Sequence, residues 1–178
     1  SSLFQQKGLE PIYQVACRDR NRLALQSDVL SASVLGIKNI LILTGDYPTV
    51  GDHPQAKPVF DLDSVLLLQA VKALQNGIDI NGNKLTGIVP EFCVGAVVNP
   101  GAEPLEPQII KMEKKVEMGA SFFQTQAVFD SESFEKFVKK VEHLNVPVFA
   151  GILLLKSAKM ARYMNEHIPG VVIPDRLV

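Results

Sequence analysis

The chain has 178 residues, close to one domain at roughly 150 residues each. Its 18 Lys and Arg stand against 19 Asp and Glu, a net charge of -1. That leaves no basic excess to neutralise a phosphate backbone, so nucleic acid is excluded as a partner. Hydrophobic residues at 47% and charged residues at 21% exclude a largely disordered chain, and area scaling lets about 70% of the extended surface be buried.

Cys17 and Cys93 lie singly inside apolar runs, which disfavours both a disulfide scaffold and a zinc knuckle. No stretch reaches the roughly 18 uncharged apolar residues of a membrane span, and the first ten residues lack the pattern of a signal peptide. The expectation is a cytoplasmic protein with no membrane partner. Because the chain opens on Ser1 and a strand-like run follows almost at once, upstream sequence is expected to be missing.

In chain order, the first apolar run covers residues 12–16 and predicts a strand. A helix follows over about 21–35, stopping at Gly36, and a second strand covers 40–43. The loop 51–58, long for a connection and placed after a strand, has the character of a lid or cofactor-binding arm. A helix over about 63–76 stops at Gly77. Residues 78–87 hold the tight-turn dipeptide Asn81-Gly82 and read as an inserted hairpin. A third strand covers 92–98. Leu105, Ile109, Met112 and Val116 then step by four, three and four along one helix face. A fourth strand covers 122–129. A helix with a start signal at Ser131 gathers Phe134, Phe137, Val138 and Val141 on one side. A fifth strand over 146–154 and a helix over about 157–167 complete the series.

Five strand-helix units mean parallel strands with right-handed crossovers in an α/β fold. The strands are continuously apolar, as strands buried on both faces are. Length favours an open doubly wound sheet, since an eight-stranded barrel needs about 250 residues. In either architecture ligands bind at the carboxyl ends of the strands.

Those ends are polar. The first strand ends in Cys17-Arg18-Asp19-Arg20, the second in Thr44-Gly45-Asp46, the third in Asn99-Pro100, and the fourth carries Gln124 and Gln126. Asp19 serves equally well as a helix cap. Asp46, between Gly45 and Tyr47-Pro48, is the stronger candidate, because the tight exit aims a carboxylate over the strand ends. Gln126 sits in an apolar run, where a buried amide must find partners, either a polar ligand or a structural hydrogen bond. His53, His143 and His167 lack metal-ligand spacing, so no metal is expected, and the last two are expected at the surface. Lys111, Lys114 and Lys115 line one helix, as a solvated face or as contacts to a cofactor phosphate. Gly-x-Gly-x-x-Gly, the P-loop pattern and Gly-x-Ser-x-Gly are all absent.

Leu43-Thr44-Gly45-Asp46, Lys57-Pro58-Val59-Phe60, Val116 to Ala120, Thr125-Gln126 and Phe129-Asp130, in this order across nearly the whole chain, resemble the methylenetetrahydrofolate reductase family. The resemblance implies a (β/α)8 TIM barrel instead of the open sheet, incomplete here with five β/α units, about strands three to seven, in a single domain over residues 1–178. It implies FAD at the carboxyl ends of the strands and interconversion of methylene- and methyl-tetrahydrofolate. By position, Asp46 matches the aspartate that favours the cationic folate intermediate, and Gln126 the glutamine that holds the pterin. Thr44 and Gly45 match contacts to the isoalloxazine, Phe60 and Asp61 a segment touching FAD, and Lys114 and Lys115 a basic pair near its ribityl and phosphate portion. The resemblance also implies a cofactor contact at Asn99.

Three positions depart from the family. Gln14 stands where some members carry a flavin-contacting histidine, Ala158 where a phenylalanine packs on the folate, and nothing before Ile12 matches the strand bearing the glutamate general acid. The implied partners are a folate substrate and an electron donor, NADH or a ferredoxin-type protein, with a homo-oligomer or larger complex expected. Two alternatives remain: a non-catalytic barrel piece or subunit completed by other chains, motivated by sheet edges that invite pairing, and a pterin-binding methyltransferase barrel without FAD.

Overall fold

A computed structural model describes residues 1–168 and 170–178. The strands are β1 (Ile12–Ala16), β2 (Asn39–Leu43), β3 (Cys93–Val98), β4 (Phe122–Ala127) and β5 (Val148–Gly151). The helices are α1 (Ser2–Gln6), α2 (Arg22–Val34), α3 (Ser64–Gln75), α4 (Glu106–Glu117), α5 (Ser131–Val141) and α6 (Ala158–His167), with short 3-10 turns at Pro48–Val50, Glu142–Leu144 and Asp175–Leu177. The strands form one sheet in the order β1-β2-β3-β4-β5, and the pairs β1-β2, β2-β3 and β4-β5 are parallel. A doubly wound sheet reverses its strand order at a switch point. This strictly sequential order has no reversal, as in successive units of a barrel, so the length argument for an open doubly wound sheet is corrected.

The chain divides into two compact units, one of Ser1–Ala96 with Lys114–Ser121 and one of Val97–Glu113 with Phe122–Val178. In the first, α2 and α3 pack together and α3 lies against β2. Val15, Leu25, Val29, Ile40, Ile42, Leu67 and Val71 are all closed to solvent. The helices start and stop on local chemistry. The Asn21 side chain accepts the Ala24 N–H and the Asp63 side chain accepts the Leu66 N–H, each capping a first turn. Gly36 at φ 78° and Gly77 at φ 77° take the left-handed step that ends α2 and α3. The 78–87 segment is hairpin-like, with an antiparallel bridge between Ile78 and Lys84. Its tip is tied by the Asp79 carboxylate, which accepts the Asn81 and Asn83 N–H groups.

In the second unit β4 and β5 pair from Phe123 with Val148 onward. Ala161, Val171 and Ile173 form a small core, with Phe129, Leu155, Met164 and Val178 packed against it. Asn165 locks the segment after α6 by donating to the Ile173 carbonyl at 3.0 Å and accepting its N–H at 2.7 Å. The Asp130 side chain accepts the Ser133 N–H and so caps α5, one residue before the expected start signal. Among the described residues, no helix is long and apolar enough to cross a membrane.

Candidate functional site at the carboxyl ends of the strands

The carboxyl ends of β1 and β2 are joined through Arg18. Its carbonyl accepts the Val59 N–H at 2.7 Å, and its guanidinium donates to the Asp46 carbonyl at 3.3 Å while pairing with the Asp19 carboxylate at 2.7 Å. Gly45 has φ 91°, and a Cβ there would stand 3.0 Å from the Arg18 Cβ. The turn therefore needs glycine for both its left-handed backbone and its close approach to Arg18. It carries Asp46 out into solvent. The neighbouring negative charge of Asp46 contributes to holding the Arg18 guanidinium protonated, after the Asp19 hydrogen bond.

Beside Asp46 lies an apolar lip. The Tyr47 ring meets the Phe60 ring edge-on, with centroids 5.2 Å apart, and Tyr47, Val50 and Val59 are exposed. Phe60 holds φ 42°, an uncommon left-handed conformation for an aromatic residue. The segment is anchored at Asp61, whose Oδ2 accepts the Arg22 N–H at 2.8 Å and Nε at 2.9 Å while Oδ1 accepts Nη2 at 2.9 Å. The Arg22 side-chain bonds, then its backbone N–H, hold the Asp61 carboxyl down at about 2. Thr44 is also engaged, its Oγ1 accepting the Ser64 N–H at the start of α3 at 3.3 Å. Gln14 is exposed on β1, in register with buried Leu41. Burial, then the charge of Asp63, pushes the Cys17 thiol up to about 11, which keeps it protonated.

Lys114 and Lys115 lie in the last turn of α4, before Ser121, whose N–H bonds the Val94 carbonyl near the start of β3. Lys114 is exposed, whereas Lys115 is 5% exposed, so a uniformly solvated lysine face is corrected.

In the second unit Asn99 closes a turn by accepting the Gly101 N–H at 3.0 Å and packs against Gly170. Gln126 is exposed, which corrects the expectation of a buried amide. The buried residue is its neighbour Thr125, 6% exposed. The register between β4 and β5 breaks between Gln124 and Ala127, so the burial pattern of the apolar run does not continue through Gln126. Ala158 is exposed at the first position of α6.

A cleft of about 550 Å³ opens beside these loops, lined among others by Glu103, Phe129, Asp130, Lys136 and Arg176. The Phe129-Asp130 motif gives Asp130 no role in the sequence and Arg176 goes unmarked there, yet the two pair at 2.6 Å. The Ser133 hydroxyl, then Arg176, hold the Asp130 carboxyl at about 2. A helix-capping position for Asp130 was the available signal; an arginine 46 residues later gave none. His143 pairs with Glu113 at 3.2 Å and His167 stacks on Tyr163, both at the surface as expected.

The methylenetetrahydrofolate reductase family profile matches residues 1–178. A probable methylenetetrahydrofolate reductase (NADPH) of Caenorhabditis elegans is 23% identical over 98% of this chain and 26% of its own length. A 5,10-methylenetetrahydrofolate reductase of Pectobacterium carotovorum is 28% identical over 94% of this chain and 53% of its own. The chain thus spans about a quarter to a half of the relatives it matches. Among solved structures, a putative lyase/mutase from Burkholderia cenocepacia J2315 superposes with a TM-score of 0.52, at 15% identity, over 98% of this chain and 69% of that one, a likeness of fold. On the full-length profile match, this chain belongs to the methylenetetrahydrofolate reductase family.

Proposed function

We propose that the protein is a flavin-dependent oxidoreductase interconverting 5,10-methylenetetrahydrofolate and 5-methyltetrahydrofolate, acting in the cytoplasm. The observation that carries this reading is the Thr44-Gly45-Asp46 turn, which presents an exposed carboxylate at the end of β2 beside an exposed aromatic lip.

The residues present fit FAD. The apolar surface of Tyr47, Val50, Val59 and Phe60 suits a flat heteroaromatic ring, and the exposed Gln14 amide offers it donors and an acceptor. Thr44 and Asp61 act one step back: their side chains are bonded to α3 and Arg22, and so fix the backbone beside Asp46. When bound, FAD would supply the hydride. Asp46 stabilises a cationic folate through its fixed negative charge, an effect that grows as water leaves the site. Gln126 orients the pterin through its amide. The electron donor belongs to the same reading, as NADH or a ferredoxin-type protein.

Replacing Asp46 by Asn keeps the side-chain shape and removes the charge. The folate half-reaction is expected to slow about 100-fold, with flavin reduction changed much less. Equal slowing of both halves in stopped-flow absorbance overturns the assignment.

A second reading is favoured by Ile12 on β1 and Phe149 on β5, which are 46% and 56% exposed on the terminal strands of the sheet. Here further chain segments cover these strands and complete the site, in a homo-oligomer or larger complex. Size measurement in solution distinguishes it, since a monomer that turns over folate excludes a requirement for partners.

A further inference from the structure

We infer that Thr125 is a positioning residue for Gln126, an assignment that rests on the reading of Gln126 as a pterin contact. Phe123 pairs with Val148, Gln124 with Phe149, and then Ala127 with Gly151. From Gln124 to Ala127 is three steps along β4, against two steps from Phe149 to Gly151 along β5. The extra residue is a bulge, the device that re-aims a side chain at the end of a strand.

A bulge disrupts the backbone ladder, and here one hydroxyl repairs it. Thr125 Oγ1 donates to the Gln126 carbonyl at 2.6 Å and accepts the Gly151 N–H at 2.9 Å. A hydroxyl is suited to this double task because it is at once donor and acceptor. On the far side the Val128 N–H returns to the Gly151 carbonyl at 2.8 Å. The strands approach so closely that a Cβ on Gly151 would lie 2.8 Å from the Thr125 carbonyl and 3.2 Å from that of Gln126. The hydroxyl therefore clamps the Gln126 backbone while its own side chain is buried, and Gln126 is left facing solvent.

Thr125→Val keeps the shape and removes the hydroxyl; Thr125→Ser keeps the hydroxyl. In Thr125→Val, exchange of the Gly151 amide is expected to accelerate about tenfold, because its acceptor is gone. The folate KM is expected to rise about tenfold with the rate of flavin reduction unchanged, and Thr125→Ser to restore both readings to within about twofold. In a Gln126→Ala background, Thr125→Val is expected to add no further rise, the signature of one residue acting through another. Gly151→Ala disturbs the same clamp from β5 and is expected to raise the folate KM in the same non-additive way, which covers the case of a Thr125→Val protein that does not fold. An equal KM rise with and without Gln126, or unchanged Gly151 exchange in Thr125→Val, overturns the assignment. Failure of the proposed activity shows separately, as an unsubstituted protein with no folate KM.

Discussion

At the residue scale the carboxyl edge is held by ion pairs that leave a pH signature. Asp61 and Asp130 both titrate at about 2, below the ordinary 3.8, because arginine and hydroxyl or backbone donors favour their charged forms. A depressed carboxyl stabilises the fold above its unfolded pKa, and that contribution is lost as pH falls through the folded value. The thermal midpoint is therefore expected to fall as pH drops from about 4 to 2. Asp61→Asn is expected to flatten part of that slope, and added salt to weaken it, since both pairs are solvent-accessible. Melting curves from pH 2 to 5 check this; an unchanged slope in Asp61→Asn contradicts it.

Also at this scale, Gly45→Ala is expected to cost about 1–3 kcal/mol, because it meets both a positive φ and the Arg18 side chain. Gly87→Ala, with open space around it and no positive φ, is expected to be close to neutral. Denaturant titration of the two variants separates them. The importance of Gly45 was legible in its place between a strand and Asp46. The clamps were not: nothing in one sequence says that Arg22 finds Asp61, 39 residues away, or that Thr125 and not Gln126 is the buried member of the pair. Both depend on a fold that brings distant backbone together.

At the element scale local chemistry was readable because it acts over a few residues. Asn21, Asp63 and Ser157 cap the helices that the sequence expects to start there. Asp63→Ala is expected to cost about 1 kcal/mol, measured as a shift in the denaturation midpoint. β1 spans the expected residues 12–16, while the fourth and fifth runs overshoot, ending as strands at Ala127 and Gly151. The fourth overshoot lies just past the β4 bulge and the fifth over the exposed 152–154 segment, where the side chains stay apolar although the backbone is no longer strand. An apolar run reports what is suited to burial, and pairing is decided by the neighbouring strand. Helix α1 left no usable signal, since its five residues bury no side chain.

At the scale of the whole molecule, the alternation of strands and helices gives the α/β class, but strand order is a non-local property. Length pointed to an open doubly wound sheet, whereas the ordered motifs from Leu43 to Asp130 pointed to a barrel. The sequential order β1 to β5 agrees with the motifs. The order of those motifs is also why family membership was legible when no single motif is specific. The proposed function places flavin and folate chemistry on this chain. The most direct measurement is the visible absorbance of the purified protein, with its intact mass, before and after anaerobic addition of 5-methyltetrahydrofolate. A bound oxidised flavin whose absorbance bleaches on addition is expected, whereas a colourless protein that takes up no added FAD would overturn the proposed function.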